Sequence, residues 1–254
     1  MSVRISRRKL IGSLGAGAGG LLLAGCDRIN ESPAVQRLLG AGQGLTMRAQ
    51  RIVTDRTALA PEFTAADMSP VFRTNGNTLP ADKAYQAHAA TGFAAWRLIV
   101  DGQVRQPLAL SLAQIRRLPT RTQITRHDCV EGWSAIGKWT GVPLKLLLDN
   151  AGVRPNTRYI VFHCADDFDG TPYYESIDLI DAYHPQTILA WGMNDQLLPI
   201  GHGAPLRLRI ERQLGYKMAK FVMRVEAVES LAHIGQGNGG YWEDSAAYQW
   251  FAGI

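Results

Sequence analysis

The segment His127-Asp128-Cys129-Val130-Glu131-Gly132-Trp133-Ser134 constrains this chain more than any other. It places a cysteine in polar, aromatic-flanked surroundings directly after a β-rich run, Thr122 to Arg126. A thiolate is a soft ligand, suited to a transition metal and poorly suited to Mg²⁺ or Ca²⁺. Downstream lie a second internal cysteine, Cys164, and a stretch rich in Gly, His, Arg and Lys that suits an anionic group. The fold therefore has to be one that can present Cys129 to a metal.

The first residues indicate where such chemistry takes place. Arg4 and the run Ser6-Arg7-Arg8-Lys9-Leu10-Ile11 form a basic region with a twin-arginine signature. Leu10 to Ala24 is an apolar, Gly- and Ala-rich run, shorter than the roughly 20 residues of a spanning helix, and reads as an export leader rather than an anchor helix. It closes on Leu23-Ala24-Gly25-Cys26, which resembles a bacterial lipobox, so Cys26 is the expected site of lipidation and the expected mature N-terminus. Asp27 resembles an inner-membrane retention signal. The expected location is the periplasmic side of the inner membrane, reached by the twin-arginine route, which carries proteins already folded and often with a cofactor inside. Four of the five excess positive charges lie in residues 1–25, which contain no acid, so the remainder carries a net charge of only +1. The basic character belongs to the leader, and no nucleic-acid partner is expected.

Residues 26–68 read as a tether and N-terminal arm. Gly40, Gly42 and Gly44 interrupt a weakly amphipathic pattern there, and Pro61 and Pro70 punctuate the chain beyond them. A compact domain is expected over 69–254, long enough to bury a substantial core. Strands are expected over Ala95–Val100, Thr122–Arg126, Tyr159–Cys164, Thr187–Met193 and Phe221–Val228. A Leu-rich helix is expected over Pro143–Asn150, and shorter helices capped by Ser111 and by Ser176. Leu206, Leu208 and Ile210 alternate with Arg207 and Arg209, giving a strand with one buried and one basic face. Taken alone, those arginines read as solvated strand charges. Short strands and helices without strict βαβ alternation indicate an α+β fold rich in β.

Three readings of the cysteines remain open at this point. Cys129 and Cys164 are candidates for a disulfide in an oxidising compartment. His127, Cys129, His163 and Cys164 are candidates for a zinc site, although neither Cys-x-x-Cys nor His-x-x-x-His spacing is present. The third is a single-thiolate metal site at Cys129.

Four motifs in order favour the third. Cys129-Val130-Glu131-Gly132-Trp133-Ser134, followed by Trp139-x-Gly141-Val142-Pro143-Leu144, resembles the core motif of the sulfite oxidase family of molybdopterin enzymes. Phe72-Arg73-Thr74-Asn75-Gly76-Asn77-Thr78-Leu79-Pro80 resembles that family's first pterin-contacting loop. Gly203-Ala204-Pro205-Leu206-Arg207 and Leu214-Gly215-Tyr216-Lys217-Met218-Ala219-Lys220 resemble its last two cofactor segments. The resemblance extends from Phe72 to Glu229 and is strongest to the bacterial periplasmic reductase branch, the methionine sulfoxide reductase catalytic subunits. It implies the sulfite-oxidase-type fold, a molybdenum–molybdopterin cofactor and Cys129 as the molybdenum ligand. It also implies that Asn75, Thr78 and Arg207 bind the pterin and that Met218, Ala219 and Lys220 wrap its phosphate. Cys164 and His202 fall on cofactor positions where that branch has threonine and asparagine. The family's dimerisation domain has no counterpart after Glu229, so a monomer is expected.

The physical chemistry agrees. A pyranopterin is a flat polar ring system ending in phosphate, which needs fixed donors and acceptors along its edges and cations at its end. The expected activity is oxygen-atom transfer, with reduction of an S-oxide or N-oxide first and sulfite-type oxidation as the alternative. No Cys-x-x-Cys-His haem motif is present, so electrons are expected from a partner such as a membrane b-type cytochrome. A lipid-tethered, non-catalytic binding or assembly module with a zinc site or disulfide is the competing class. Trp242, Glu243 and Tyr248 lie in a Gly-rich tail that either folds over the metal or forms ordinary surface.

Overall fold

The computed structural model describes residues 32–55 and 57–254; the leader, Cys26 and Asp27 lie outside the described residues. The chain divides into two compact units, Met1–Val53 and Thr54–Ile254. The described part of the first contains helix α1, Pro33–Val53, which continues through Gly40, Gly42 and Gly44. A Cβ at Gly42 or Gly44 would meet open space. Packing therefore does not require those glycines, each of which costs a helix about 1 kcal/mol relative to Ala.

The second unit begins at Thr54, before the Ser69 expected from Gly and Pro punctuation. The reason is tertiary. The Phe63 N–H donates to the Ile124 carbonyl at 2.8 Å, and the Gln186 side chain bonds both the N–H and the carbonyl of Ala60, at 2.8 and 3.0 Å. Those partners are far away in sequence, so no local signal marks them.

Two five-stranded sheets form the body of this unit, with short helices around them, an α+β arrangement. The first sheet runs β2 (Leu108–Ser111), β1 (Arg97–Gly102), β10 (Val222–Val228), β5 (Tyr159–Phe168), β6 (Thr171–Asp178). Its β1–β10 pair is parallel and its other pairs are antiparallel. The second runs β3 (Arg121–Asp128), β4 (Ser134–Pro143), β7 (Ile188–Met193), β8 (Gln196–Leu197), with β9 (Arg207–Arg209) also on β7. The helices are α2 (Lys83–Ala90), α3 (Leu112–Ile115), α4 (Leu144–Ala151), α5 (Leu179–Ala182) and α6 (Tyr241–Ala246).

Local signals explain several of these elements. In α4, Leu144, Leu147, Leu148 and Ala151 are buried at helical spacing, and Gly152 ends the helix in the left-handed region at φ +67°. Ser111 caps α3 through a capping box with Gln114. Asn194 and Asp195, both at positive φ, form the tight turn between β7 and β8. Ser176 does not cap a helix. It lies in β6, and Asp178 caps α5 by accepting from the Asp181 N–H at 3.1 Å. The main core gathers Leu98 and Val100 of β1 with Trp96 just before it, Phe162 of β5, Val225 of β10 and the leucines of α4. Each such side chain contributes roughly 1.5–3 kcal/mol by burial. A smaller core holds Trp139, Ile188, Ala190, Met193 and Leu198, with Phe72 packed on it.

The β4–β7 pairing shifts register between Thr140 and Gly141. A Cβ on Gly141 would stand 2.3 Å from the Leu189 carbonyl oxygen and 2.6 Å from Ala190 Cα, both backbone atoms that cannot swing aside. Gly141→Ala is expected to destabilise the protein by about 2 kcal/mol through overpacking, seen as a lower urea midpoint with the m-value unchanged.

Candidate functional site

Strand β3 delivers Cys129 into a tight turn. The Cys129 N–H donates to the Trp133 carbonyl at 2.9 Å, and the Gly132 N–H donates back to the Cys129 carbonyl at 3.0 Å. Gly132 has φ +85°, a conformation that favours glycine. Cys129 is buried, and the Asn75 amide N–H lies 3.4 Å from its sulfur. Burial raises the thiol's pKa, opposed by the Glu131 backbone N–H and by Asn75, which both favour the thiolate.

The loop carrying Asn75 is held from both ends. Phe72 packs its ring against those of His127, Trp133, Trp139 and His202, at centroid distances of 5.3 to 6.2 Å. The Lys220 ammonium donates to the Asn75 carbonyl at 2.6 Å, to the Asn77 carbonyl and to the Gly201 carbonyl at 3.3 Å. The Asn77 amide donates to Asp166 at 3.3 Å and to the Asp167 carbonyl at 2.7 Å.

Beside this loop the protein buries positive charge. Arg207 and Arg209 share one face of β9, and their guanidinium carbons lie 5.1 and 4.3 Å from the Trp139 ring centre. The expected basic face of this strand is therefore not solvated: Arg207 is 3 % exposed and Arg209 fully buried. Arg209 is neutralised by Glu211 at 2.5 Å. Arg207 bonds only the His202 and Met218 carbonyls, at 3.2 and 3.4 Å, and its Nε has no partner. Burial, with Arg209 alongside, pushes the Arg207 pKa down to about 9, and burial with Arg207 nearby pushes Lys220 down to about 8. His202 is pushed down to about 4 by burial first and then by these two cations. The Arg209 guanidinium lies 3.1 Å from His127 Nδ1, so that nitrogen accepts and the buried, unpartnered Nε2 carries the proton. A Cβ on Gly215 would stand 2.4 Å from that ring, so glycine is required there.

Asn75, Arg207 and Lys220 border a cavity of about 150 Å³, with Cys129 behind its lining, next to the lining residue Val130 and bonded to Asn75. Its lining includes Asn75, Asn77, Val130 and Glu131, Arg207, Met218 and Lys220, and Asp166, Phe168 and Tyr173. Tyr216, Trp242 and Tyr248 also line it, so the Gly-rich tail does reach it. Trp242 stacks on Tyr248 at 5.8 Å and Tyr241 on Phe168 at 5.0 Å. Glu243 points elsewhere, to Lys217 at 2.6 Å, and Lys217 also pairs with Glu175. All three side chains are buried, and one oxygen of each carboxylate lacks a partner. Glycine at 240 leaves room for both acids: a Cβ there would meet Glu243 at 2.1 Å and Glu175 at 2.7 Å.

The structure gathers only part of the expected set. Cys129, Asn75, Arg207, Met218 and Lys220 converge. Thr78 lies behind the loop, beside Gly201, and Ala219 is buried with its carbonyl accepting from the Leu208 N–H at 2.8 Å. His202 presents its carbonyl to Arg207 and its ring to Phe72. Cys164 lines a separate cavity of about 460 Å³ with Tyr174, His233 and Asp244. Cys129 and Cys164 are both free, so the disulfide is not formed. The candidate zinc ligands are split, with His127 on the second sheet and His163 on the first, paired to Glu226 at 2.8 Å. Among the described residues no group of three or more His, Cys, Asp or Glu side chains is placed to hold a metal. Asn77, Asp166, Phe168 and Tyr173 escaped sequence reading. The acidic turn Asp166-Asp167-Phe168-Asp169-Gly170 reads as a loop, yet β5 continues to Phe168 and carries Asp166 inward.

A thiol just past a strand end, an amide on its sulfur and a buried arginine without a carboxylate partner beside a cavity are an arrangement suited to an anionic, metal-bearing cofactor. The family model for the oxidoreductase molybdopterin binding domain matches residues 84–233, and the chain belongs to this family. It is a molybdopterin-dependent oxidoreductase of the sulfite oxidase type. It is 38% identical, over 92% of its length and 83% of the relative's, to a putative protein-methionine-sulfoxide reductase subunit YedZ1 of Azospira oryzae. It is 33% identical to the protein-methionine-sulfoxide reductase catalytic subunit MsrP of Gluconobacter oxydans, over 53% of this chain and 47% of that protein. Its fold resembles the sulfane dehydrogenase SoxCD of Paracoccus pantotrophus, with a TM-score of 0.52, 22% identity and coverage of 60% of this chain and 41% of that one.

The residues present fit a molybdenum pyranopterin. Cys129 could offer the soft ligand, Arg207 and Lys220 a charged end, and Asn75 and Asn77 the edge contacts. Arg207→Met is expected to leave the cofactor-free protein as stable as wild type or more so, because it removes a buried charge without a carboxylate partner. The same change should weaken pterin retention at least tenfold, the loss of a charged hydrogen bond of about 1.5–3 kcal/mol. Thermal melts of cofactor-free protein and pterin release from loaded protein measure the two effects. Lys217→Met is expected to cost about 3–5 kcal/mol by stranding two buried carboxyls. Burial pushes the Glu175 pKa well up, against the pull of Lys217, and Glu243 adds to the rise. A raised folded-state pKa means stability held at low pH and lost as pH rises, so the variant's deficit in urea should be larger at pH 8 than at pH 5.

Proposed function

We propose that this protein is an exported molybdenum-pterin enzyme that reduces an S-oxide, of the methionine sulfoxide class, to the thioether with electrons from a membrane haem partner. The cavity lined by Asn75, Arg207 and Lys220, with Cys129 bonded to Asn75 at its edge, carries this reading. The substrate class follows the name of the Azospira relative, which aligns over most of both chains. Export by the twin-arginine route and lipidation at Cys26 rest on Ser6-Arg7-Arg8-Lys9 and Leu23-Ala24-Gly25-Cys26. No helix among the described residues is long and apolar enough to cross a membrane. The b-type cytochrome partner follows from the missing haem motif together with the proposed anchor.

A bound molybdenum pyranopterin supplies a two-electron centre able to exchange an oxygen atom. The protein does the rest. Cys129 would hold the metal, and the Asn75 N–H would fix the orientation of its sulfur and temper its charge. Arg207 and Lys220, with Met218 and Ala219 between them and the turn at Gly215, would hold the phosphate end, and Thr78, Cys164 and His202 would shape the surrounding shell. Phe168, Tyr173, Trp242 and Tyr248 give the cavity apolar walls suited to the alkyl groups of a sulfoxide, where sulfur–aromatic contacts are favourable.

Wild-type protein is expected to hold close to one molybdenum per chain and to reduce methyl sulfoxides with a reduced dye. Cys129→Ser should lose both metal and turnover. Metal analysis with pterin release and a dye-coupled substrate screen measure these quantities; full turnover by the serine variant would overturn the ligand assignment, and activity with sulfite alone would overturn the direction.

A further inference from the structure

Reduction of a sulfoxide breaks one S–O bond, consumes two electrons from the haem-class donor and two protons, and yields a thioether and water. The fold has to bring protons into a cavity walled largely by aromatic rings and cations. Two carboxylates line it. Glu131 is exposed, and its Oε2 accepts from the Trp133 indole at 3.0 Å. Asp166 differs in kind. It is 4 % exposed, its Oδ2 accepts from the Asn77 amide at 3.3 Å, and its buried Oδ1 has no partner. Asn75 bonds the Cys129 sulfur and Asn77 bonds Asp166, so a single three-residue loop spans sulfur and carboxyl. Lys220 holds that loop by the carbonyls of Asn75 and Asn77.

We propose that Asp166 is the catalytic acid of this site, its carboxyl at the cavity wall delivering a proton to the substrate oxygen as it leaves toward water and regaining one through the cavity. The inference rests on the sulfoxide-reduction reading above. An unpaired buried carboxyl oxygen is costly when ionised and serves as a donor when protonated. Burial pushes the Asp166 pKa up to about 6, against the pull of the Asn77 amide and Lys220. The other charged or titratable groups facing it are Asp167 and Cys164 from its own strand, Tyr173 of β6 and Tyr85 of α2. Asp167 raises the Asp166 pKa further, so Lys220 is the cation among them that opposes protonation. An acid poised near the working pH is efficient because it is both populated and able to release its proton.

The test compares cofactor-loaded wild type, Asp166→Asn and Asp166→Glu with reduced dye and a methyl sulfoxide. Wild-type kcat is expected to fall as pH rises through about 6. Asp166→Asn should retain wild-type molybdenum and pterin per chain, lose roughly 10²-fold or more in kcat and show no limb in that range. Asp166→Glu should keep a limb and part of the rate. An Asp166→Asn enzyme with the wild-type rate and profile overturns the proposal. So does one whose lost activity matches lost pterin, which would make Asp166 a cofactor contact. If Asp166→Asn fails to fold, the infrared band of a protonated carboxyl in loaded wild type decides: titration near pH 6, shifted in Asp166→Glu, supports the assignment, and absence of that titration overturns it. Wild type that turns over no sulfoxide overturns the functional reading itself and the acid with it, a result distinct from active wild type with an unaffected variant.

Discussion

The site depends on a cation buried without its anion. Arg209 is matched by Glu211, but Arg207, on the same face of β9 and over the same tryptophan, is matched only by carbonyls. Burying a lone charge is expensive, and natural proteins do it where a ligand completes the pair. Trp139 makes the arrangement tolerable by offering its π-face to both guanidinium groups, and its own place depends on Gly141 allowing β4 to approach β7. An anionic cofactor bound here would complete the electrostatic design of the second sheet.

A buried acid cluster lies next to residues that line the cavity. Lys217 ties β6, through Glu175, to the C-terminal tail, through Glu243, and this seats Trp242 and Tyr248 against the cavity. Lys217 directly follows Tyr216 and precedes Met218, both of which line the cavity. One short run, Tyr216 to Lys220, therefore supplies cavity wall, tail clamp and loop anchor. The matched family domain, 84–233, contains neither the Asn75 loop nor this tail, so both ends of the cavity are completed by chain outside it.

Much of this was legible because it is local. The α4 leucines, the Ser111 capping box, the Asn194-Asp195 turn and most strands announce themselves within a few residues. Cys129, Asn75, Arg207 and Lys220 were legible as candidates because their motifs occur together in order. Ser176 misled because a β-strand residue and a helix cap share the same short polar character, and Asp178 two residues later caps α5 instead. The burial of Arg207 and Arg209 was not legible, since alternation tells which residues share a face but not what covers that face.

Local residue patterns were enough to indicate the α+β class and the candidate thiolate, and four motifs in order carried the resemblance to the family and to its cofactor segments. Three things needed the packed chain: β9 is buried on both faces, Asp166 turns into the cavity while Cys164 faces another, and the chain from Thr54 and the tail to Tyr248 belong to the body. These outcomes hang on contacts between residues far apart in the chain, such as Ala60 with Gln186, Asn77 with Asp166 and Lys217 with Glu243. Such pairings arise from how two sheets pack around a shared charge, which no local pattern of side chains encodes.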